Sequence, residues 1–365
     1  MKKVLWLTNI PSPYRVRFFN ELGQQCDLTV LFEKAFSEER DDVWKEYSFE
    51  HFNGVISKSI RVTVHTALSF SFREYIMAYR NEIIIVGNPA TPIGVSAILY
   101  MQLHKIRYSI ESDGAFPNKK KGYKRYLKHI LYSRAKFCFT TSEYGKEYFK
   151  NYGVLENRIY KYPFSSIDKY YLAPQVLTQS EKNVLREQLG IEGKKVLISV
   201  GQFIYRKGFD ILLEAIHNTN TLFNLYIVGD SPTKEYMDYC KAHNLTNVRF
   251  VPFMKPPVLR QWLLASDVFV LPTREDIWGL VVNEAMACGL PVITTKRCMA
   301  GLEMVVNGVN GLLVDVNNPE QLRNAIMNVI DNNIQTMSEE ALKKASCFTI
   351  EAMTMRHLEL FELLY

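Results

Sequence analysis

Short apolar runs rich in Val, Ile, Leu and Phe alternate with longer stretches whose apolar residues recur at spacings of three and four. The runs KVLWLT, DLTVLF, EIIIV, IRYSI, FCFTT and RIYKYP, then VLISVG, LYIVG, VRFVP, VFVLP and PVITT, have the length and composition of buried strands. The stretches 16–22, 208–217, 233–243 and 258–265 have the period of amphipathic helices. Such alternation predicts parallel sheets covered by helices, an α/β architecture. Near the middle, the polar segment SSIDKYYLAPQVLTQSEKNVLREQLGIEGKK breaks the rhythm and predicts a boundary between two α/β domains. The expected organisation is a first domain over 1–168, a linker over 169–190 and a second domain over 191–345. The last segment, 346–365, has helical spacing and no following strand, and is expected to pack back toward the N-terminal domain.

A length of 365 residues accommodates two such domains, each with its own core. The composition, 47% hydrophobic and 22% charged, is that of a folded protein and excludes a disordered chain. Six scattered cysteines without a Cys-x-x-Cys pair argue against zinc ribbons and disulfide frameworks, and fit a reducing cytoplasm. The apolar run at the N-terminus, Val4 to Leu7, is too short for a signal-peptide core and reads as a strand. The segment IIIVGNPATPIGVSAILYM has the length of a membrane span, but Asn88, Pro89 and Pro92 interrupt it, so strand, turn and helix describe it better.

Open parallel sheets bind ligands beyond the C-terminal ends of their strands, so the chemistry is sought in the strand-end loops. The stretch TREDIWGLVVNEAMACGLPVITT runs from such a loop into a helix. Gly279 stands at the helix start, where free N–H groups and about half a positive charge suit a phosphate. Asp276 lies in the loop and Glu284 about one and a half turns into the helix. Carboxylates repel a phosphate, so beside one they suit neutral sugar hydroxyls. An ion-paired Glu284 and a turn-capping Asp276 are the structural alternative.

The string REDIWGLVVNEAMACGLPVI resembles the E-x7-E region of the family-4 retaining glycosyltransferases. The resemblance extends into GLEMVVNGVNGLLVD, with Glu303, Gly308 and Gly311 at the family's spacing, and into LISVGQFIYRKGFDILLEAI. It covers most of 196–320; over the N-terminal half it rests on NIPSPYRVRFFNEL and SIESDGAF, similar to elements of capsule and exopolysaccharide enzymes. What it implies is a GT-B fold: two facing Rossmann-like domains with a deep interdomain cleft, acceptor on the first and nucleotide-sugar donor on the second. It implies that Glu284 binds the ribose hydroxyls, that Asp276 or its neighbour Glu275 sits by the donor sugar, and that Gly279 and Leu280 present N–H groups to the diphosphate. Gln202 stands where the family usually has Arg, while Lys207 keeps the family's Lys and Arg206 is placed to supply the missing guanidinium. Lys207 and Arg206 are the expected cations for the leaving diphosphate, and Phe253 is expected by the base. The implied activity is metal-independent, retaining hexosyl transfer to a saccharide acceptor in surface polysaccharide synthesis, with no cofactor beyond the nucleotide sugar.

In the N-terminal half, Tyr14 and Arg15 are candidates to touch acceptor or donor, and a proline-stabilised turn is the alternative. Glu111 and Asp113, at the end of another predicted strand, are candidates to bind or deprotonate an acceptor hydroxyl, with loop capping as the alternative. The formal net charge of +6 is mild, but 118–136 carries eight Lys or Arg and no acid. Lys119, Lys120, Lys121, Lys124, Arg125 and Lys128 with an apolar side read as a basic amphipathic helix facing an anionic membrane, which suits a lipid-linked acceptor and a peripheral place on the inner face of the plasma membrane; a solvated face is the alternative. No motif for nucleic acid accompanies the basic stretch. Neither Gly-x-Gly-x-x-Gly nor Gly-x-x-x-x-Gly-Lys-Ser/Thr occurs, and no His or Cys cluster has metal-ligand spacing. A sugar-nucleotide epimerase of the same fold and a non-catalytic, membrane-associated sugar-nucleotide-binding scaffold remain the competing readings.

Overall fold

The computed structural model describes residues 1–35, 48–57, 60–61, 67–68, 72–117, 122–193, 195–217, 219, 222–331 and 334–365. The chain forms two compact units, Met1–Ser166 together with Ile350–Tyr365, and Ile167–Thr349. In the first unit the strands are β1 (Lys3–Thr8), β2 (Asp27–Phe32), β3 (Asn53–Ile56), a short antiparallel pair β4 (Ile60–Arg61) and β5 (Ala67–Leu68), β6 (Ile83–Val86), β7 (Ser109–Ser112), β8 (Cys138–Thr140) and β9 (Ile159–Lys161). Seven of them form a parallel sheet in the order β3-β2-β1-β6-β7-β8-β9. The second unit has β10 (Val196–Val200), β11 (Asn224–Gly229), β12 (Val248–Pro252), β13 (Val268–Leu271), β14 (Val292–Thr295) and β15 (Gly311–Val314) in the parallel order β12-β11-β10-β13-β14-β15.

Continuous apolar strands such as Ile83–Val86 and Val268–Leu271 are buried on both faces, as parallel sheets between helix layers require. Each fully buried Val, Leu or Ile contributes about 1.5–3 kcal/mol through area removed from water. In the first unit the helix Pro13–Gly23 packs against the C-terminal helix Ile350–Leu364. Between them Trp6, Phe18 and His357 form a ring cluster with centroids 5.0–5.6 Å apart. The helix Pro92–Leu103 starts at Thr91, whose hydroxyl accepts from the Gly94 N–H at 3.1 Å, with Pro92 at its first position.

The segment 169–190, expected as a linker, belongs to the second unit. Its helix Gln179–Leu189 begins with a capping box between Thr178 and Glu181 and ends at Gly190 in the left-handed region. Lys182 and Arg186 on this helix are buried and reach Asp267 at 3.3 and 2.8 Å, just before β13. The polar residues that read as a linker are thus an internal ion-paired seam. The predicted strand IRYSI also begins late, because Ile106 and Tyr108 are buried while the ladder starts at Ser109.

Candidate active site

Each sheet reverses its strand order beside its first strand, between β1 and β6 and between β10 and β13. Ligands of open parallel sheets bind outside the carboxyl strand ends at such points. From β10 the chain passes through Gln202, which is exposed, into the single turn Tyr205–Lys207. Gly208 follows with φ 71°, and a Cβ there would lie 2.2 Å from the Pro272 carbonyl oxygen, so only glycine lets the turn rest on the end of β13. The Arg206 carbonyl accepts from the Arg274 N–H at 2.7 Å and from the Thr273 hydroxyl at 2.9 Å. Arg274 grips the turn as well, donating to the Tyr205 carbonyl at 2.6 Å and lying 3.8 Å over the Tyr205 ring. It also forms a two-pronged pair with Asp210 at 2.9 and 2.6 Å. Burial works against the Asp210 anion, and Arg274 overrides it to hold this carboxyl below its ordinary range.

This frame brings two cations onto one carboxylate. Lys207 Nζ lies 2.6 Å from Asp276 Oδ2, and Arg206 donates to Asp276 Oδ1 at 3.1 Å and to the Glu275 carbonyl at 2.8 Å. The Glu275 side chain instead pairs with Arg297, so Asp276 is the carboxylate that meets the cations. With those pairs balanced, the group Arg206, Lys207 and Asp276 keeps one net positive charge. The Asp276 backbone is fastened to 297–299 by bonds of 2.8 and 3.2 Å. Gly279, at φ 99°, caps the helix Leu280–Ala287, and Trp278 Nε1 donates to Asn283 Oδ1 at 2.7 Å to fix its first turn. A Cβ at Gly279 would stand 2.8 Å from Cys298 Sγ. Gly279→Ala is therefore expected to cost at least about 1–2 kcal/mol for the left-handed backbone alone, and an unchanged denaturation midpoint would contradict the fit. Leu280 and Glu284 are half-buried on this helix, and Phe253 is 58% exposed just after β12.

In the first unit, the end of β7 carries Glu111 and Asp113. Arg15 is buried and bridges both, with NH2 2.9 Å from Glu111 Oε2 and paired to Asp113 Oδ1. Tyr162 donates to Asp113 Oδ1 at 3.3 Å. His357 donates through Nδ1 to the Met353 carbonyl at 2.8 Å and turns Nε2 to within 3.6 Å of Glu111 Oε1. Burial disfavours the Glu111 anion, but the Arg15 charge prevails and holds this carboxyl well below its ordinary range. Burial raises the Asp113 carboxyl, with the Glu111 charge adding to the rise and Arg15 opposing it. Arg15 and Glu111, expected as candidates for ligand contact, are both buried in an ion-paired network. Asp113, with 31% of its side chain exposed, is the member that faces outward. Tyr14 packs edge-on against Phe164 at 5.8 Å.

The basic stretch is described only in part. Lys119, Lys120 and Lys121 lie outside the described residues. In the helix Tyr123–Ser133, Arg125 donates to the Asn151 carbonyl at 3.2 Å and Lys128 to the Tyr148 hydroxyl at 2.8 Å, so these two cations are held against the neighbouring helix. Lys124 is exposed beside Tyr123, Tyr126 and Leu127, which are 78%, 69% and 37% exposed. Among the described residues no helix is long and apolar enough to cross a membrane.

Sequence reasoning missed Arg274, Asp210, Arg297, Tyr162 and His357. For His357 a signal existed: with Met353, Leu360 and Phe361 it falls on one helix face, and a lone titratable residue on an apolar face invites a buried partner. Arg274 had none, because its partner Asp210 is far along the chain.

Residues 181–346 match the family described as glycosyl transferases group 1. The chain is 31% identical over 167 residues to an uncharacterized glycosyltransferase of Methanocaldococcus jannaschii, covering 45% of this chain and 46% of that one. It is 31% identical over 175 residues to the lipopolysaccharide core biosynthesis glycosyltransferase LpsE of Rhizobium meliloti, covering 45% and 49%. The chain thus spans about half the length of these relatives. Among solved structures, a glycosyltransferase of Rickettsia africae superposes with TM-score 0.77 at 17% identity, over 100% of this chain and 98% of that one. Anabaena HepE, solved in complex with UDP, gives TM-score 0.77 at 18% identity over 100% of both chains. The fold is GT-B, two parallel-sheet Rossmann-like domains, and the match to the group 1 glycosyl transferases is confined to 181–346, less than half of the chain.

Proposed function

We propose that this protein is a retaining glycosyltransferase that moves a hexose from a nucleoside-diphosphate sugar to a saccharide acceptor, lipid-linked, in surface polysaccharide synthesis. The observation that carries the reading is the convergence of Lys207 and Arg206 on Asp276 at the β10/β13 switch point, within the matched region. Relatives named for lipopolysaccharide core synthesis and for a capsule region support the pathway class, and the HepE complexes with UDP and UDP-glucose support the donor class. Lys207 and Arg206 stabilise the departing diphosphate, and the N–H groups of Gly279 and Leu280 receive its oxygens. Glu284 holds the ribose hydroxyls, Asp276 a donor-sugar hydroxyl, and Asp113 orients the acceptor hydroxyl. The acceptor oxygen bonds to the anomeric carbon on the face from which the diphosphate leaves with its electron pair. The acceptor proton passes to a departing phosphate oxygen, so no metal is required. The exposed Tyr123, Lys124, Tyr126 and Leu127 form the membrane-facing side of a peripheral enzyme.

The test is a panel of nucleotide sugars, UDP-glucose first, followed by calorimetry and by release of nucleotide on wild type and Glu284→Ala. Each lost charge-assisted hydrogen bond to the ribose removes about 1.5–3 kcal/mol, so affinity is expected to fall at least tenfold. Equal donor affinity in the folded variant would sink the assignment of Glu284. Donor binding without nucleotide release in the presence of any saccharide acceptor would favour the scaffold reading.

A further inference from the structure

A group of cations of the first unit gathers at the N-terminal ends of its strands, the end of the sheet opposite Asp113. A hollow of about 460 Å³ there is lined by Lys105, Arg107, Arg134, Lys136 and Arg158, with no carboxylate among its lining residues. Through Lys105, Arg107 and Lys136 it continues into a second hollow of about 690 Å³ that adds Lys2, Lys3 and Arg80, against Glu82. Glu156 pairs with Lys150 at 3.3 Å, and Glu362 pairs at 3.6 Å with Lys2, a lining residue of the second hollow. The side chains of Lys105, Arg107, Arg134 and Arg158 make no ion pair among the described residues.

Two features set this apart from a solvated charge run. Helix C-termini attract cations, and that accounts for Lys105 and Arg134, which follow the helices Pro92–Leu103 and Tyr123–Ser133. It does not account for Arg107, Lys136 and Arg158, which precede strands β7, β8 and β9. Lys105 also sits at φ 55°, a left-handed position where glycine or asparagine is relaxed, yet the chain carries a lysine there. Burial lowers the Lys136 ammonium from its ordinary range, and the charges of Arg107 and Lys2 add to the shift.

We propose that this basic hollow is a second ligand site, built from none of the donor-site residues, that holds a phosphate-bearing anion, either a free phosphorylated molecule or the headgroup of an anionic lipid. Closely spaced unpaired cations around a concave surface lose mutual repulsion when an anion of several charges enters. The inference does not depend on the transferase reading. It also moves the expected anionic contact from Arg125 and Lys128, which are tied internally, to Lys105, Arg107, Arg134 and Arg158; Lys136 lines the hollow too, but donates to the Leu364 carbonyl at 3.1 Å.

The test compares Arg107→Gln/Arg134→Gln/Arg158→Gln with a charge-matched control on the second unit, Lys234→Gln/Lys241→Gln/Lys255→Gln. Both are made in full-length Lys207→Gln protein so that the donor site does not report. The probes are pyrophosphate by calorimetry and phosphatidylglycerol vesicles by sedimentation, both at low salt. All three arginines are exposed, so the melting temperature is expected to hold. The expected result is at least a tenfold weaker dissociation constant in the hollow variant and little change in the control. Loss for pyrophosphate alone assigns a free phosphorylated ligand, and loss for vesicles alone assigns a lipid headgroup. Equal loss in both variants, or no binding of either probe before the hollow is altered, overturns the site. Nucleotide-sugar binding by the hollow variant in the Lys207-containing protein reports separately on the transferase reading.

Discussion

Lys207→Met is expected to lower kcat by about 10²–10³, the usual cost of removing one preorganised group that stabilises charge developing in the transition state. Lys207 Nζ is 2.6 Å from Asp276 and its side chain only 12% exposed, so water screens its charge little. The charge on the diphosphate grows as its bond to the sugar breaks, so the lysine contributes more to the transition state than to bound donor, and kcat should fall further than donor affinity. Arg206 is 44% exposed and its charge is more screened, so Arg206→Met should have the smaller effect. Arg297→Gln, which removes the partner of Glu275 away from the cations, is the control and should leave kcat within a few-fold. Initial rates of nucleotide release over a donor concentration series separate these outcomes. A Lys207→Met enzyme with unchanged kcat would show that the convergence on Asp276 serves folding alone.

The architecture was legible because burial on both faces leaves a plain signature. The runs KVLWLT and DLTVLF coincide with β1 and β2, and VRFVP with β12. Of the strands not foreseen, β3 and β15 lie at one end of each large sheet, and β4 and β5 are two-residue strands too short to leave a pattern. Edge strands bury less, and Asn53–Ile56 contains an Asn-Gly pair that reads as a turn. In the site, the loop-to-helix position of Gly279, Asp276 and Glu284 was local and therefore readable. The clamp of Arg274 on Asp210 and the seam of Lys182 and Arg186 on Asp267 join residues more than 60 positions apart. No periodicity encodes such pairings, and from sequence the buried cations look like surface charges.

Arg15→Met is expected to destabilise the protein by about 3–5 kcal/mol, because it leaves Glu111 ionised and fully buried without its partner. Replacing both, as Arg15→Met/Glu111→Leu, should recover most of that loss, since the cost lies in the uncompensated charge and less in the missing attraction. The pH dependence follows from the same pair. Arg15 overcomes the penalty of burial and brings the Glu111 carboxyl down to about 2. An unfolded glutamate titrates near about 4.3, so between these values the unfolded chain binds the proton and the native chain does not. The contribution of Glu111 is therefore complete above the unfolded value and is lost as pH falls toward about 2. Asp113, raised by burial, acts in the opposite sense: its proton stabilises the native state at low pH, and that part is lost as pH rises through the unfolded value to the native one. Urea unfolding at a series of pH values from neutral to acid should show the acid-side decline in wild type, and the double variant should lose the Glu111 part of it. If the single Arg15→Met variant were as stable as wild type, the Glu111 carboxyl would have to be neutral in the native protein, and the ion-paired network beneath Asp113 would be wrong.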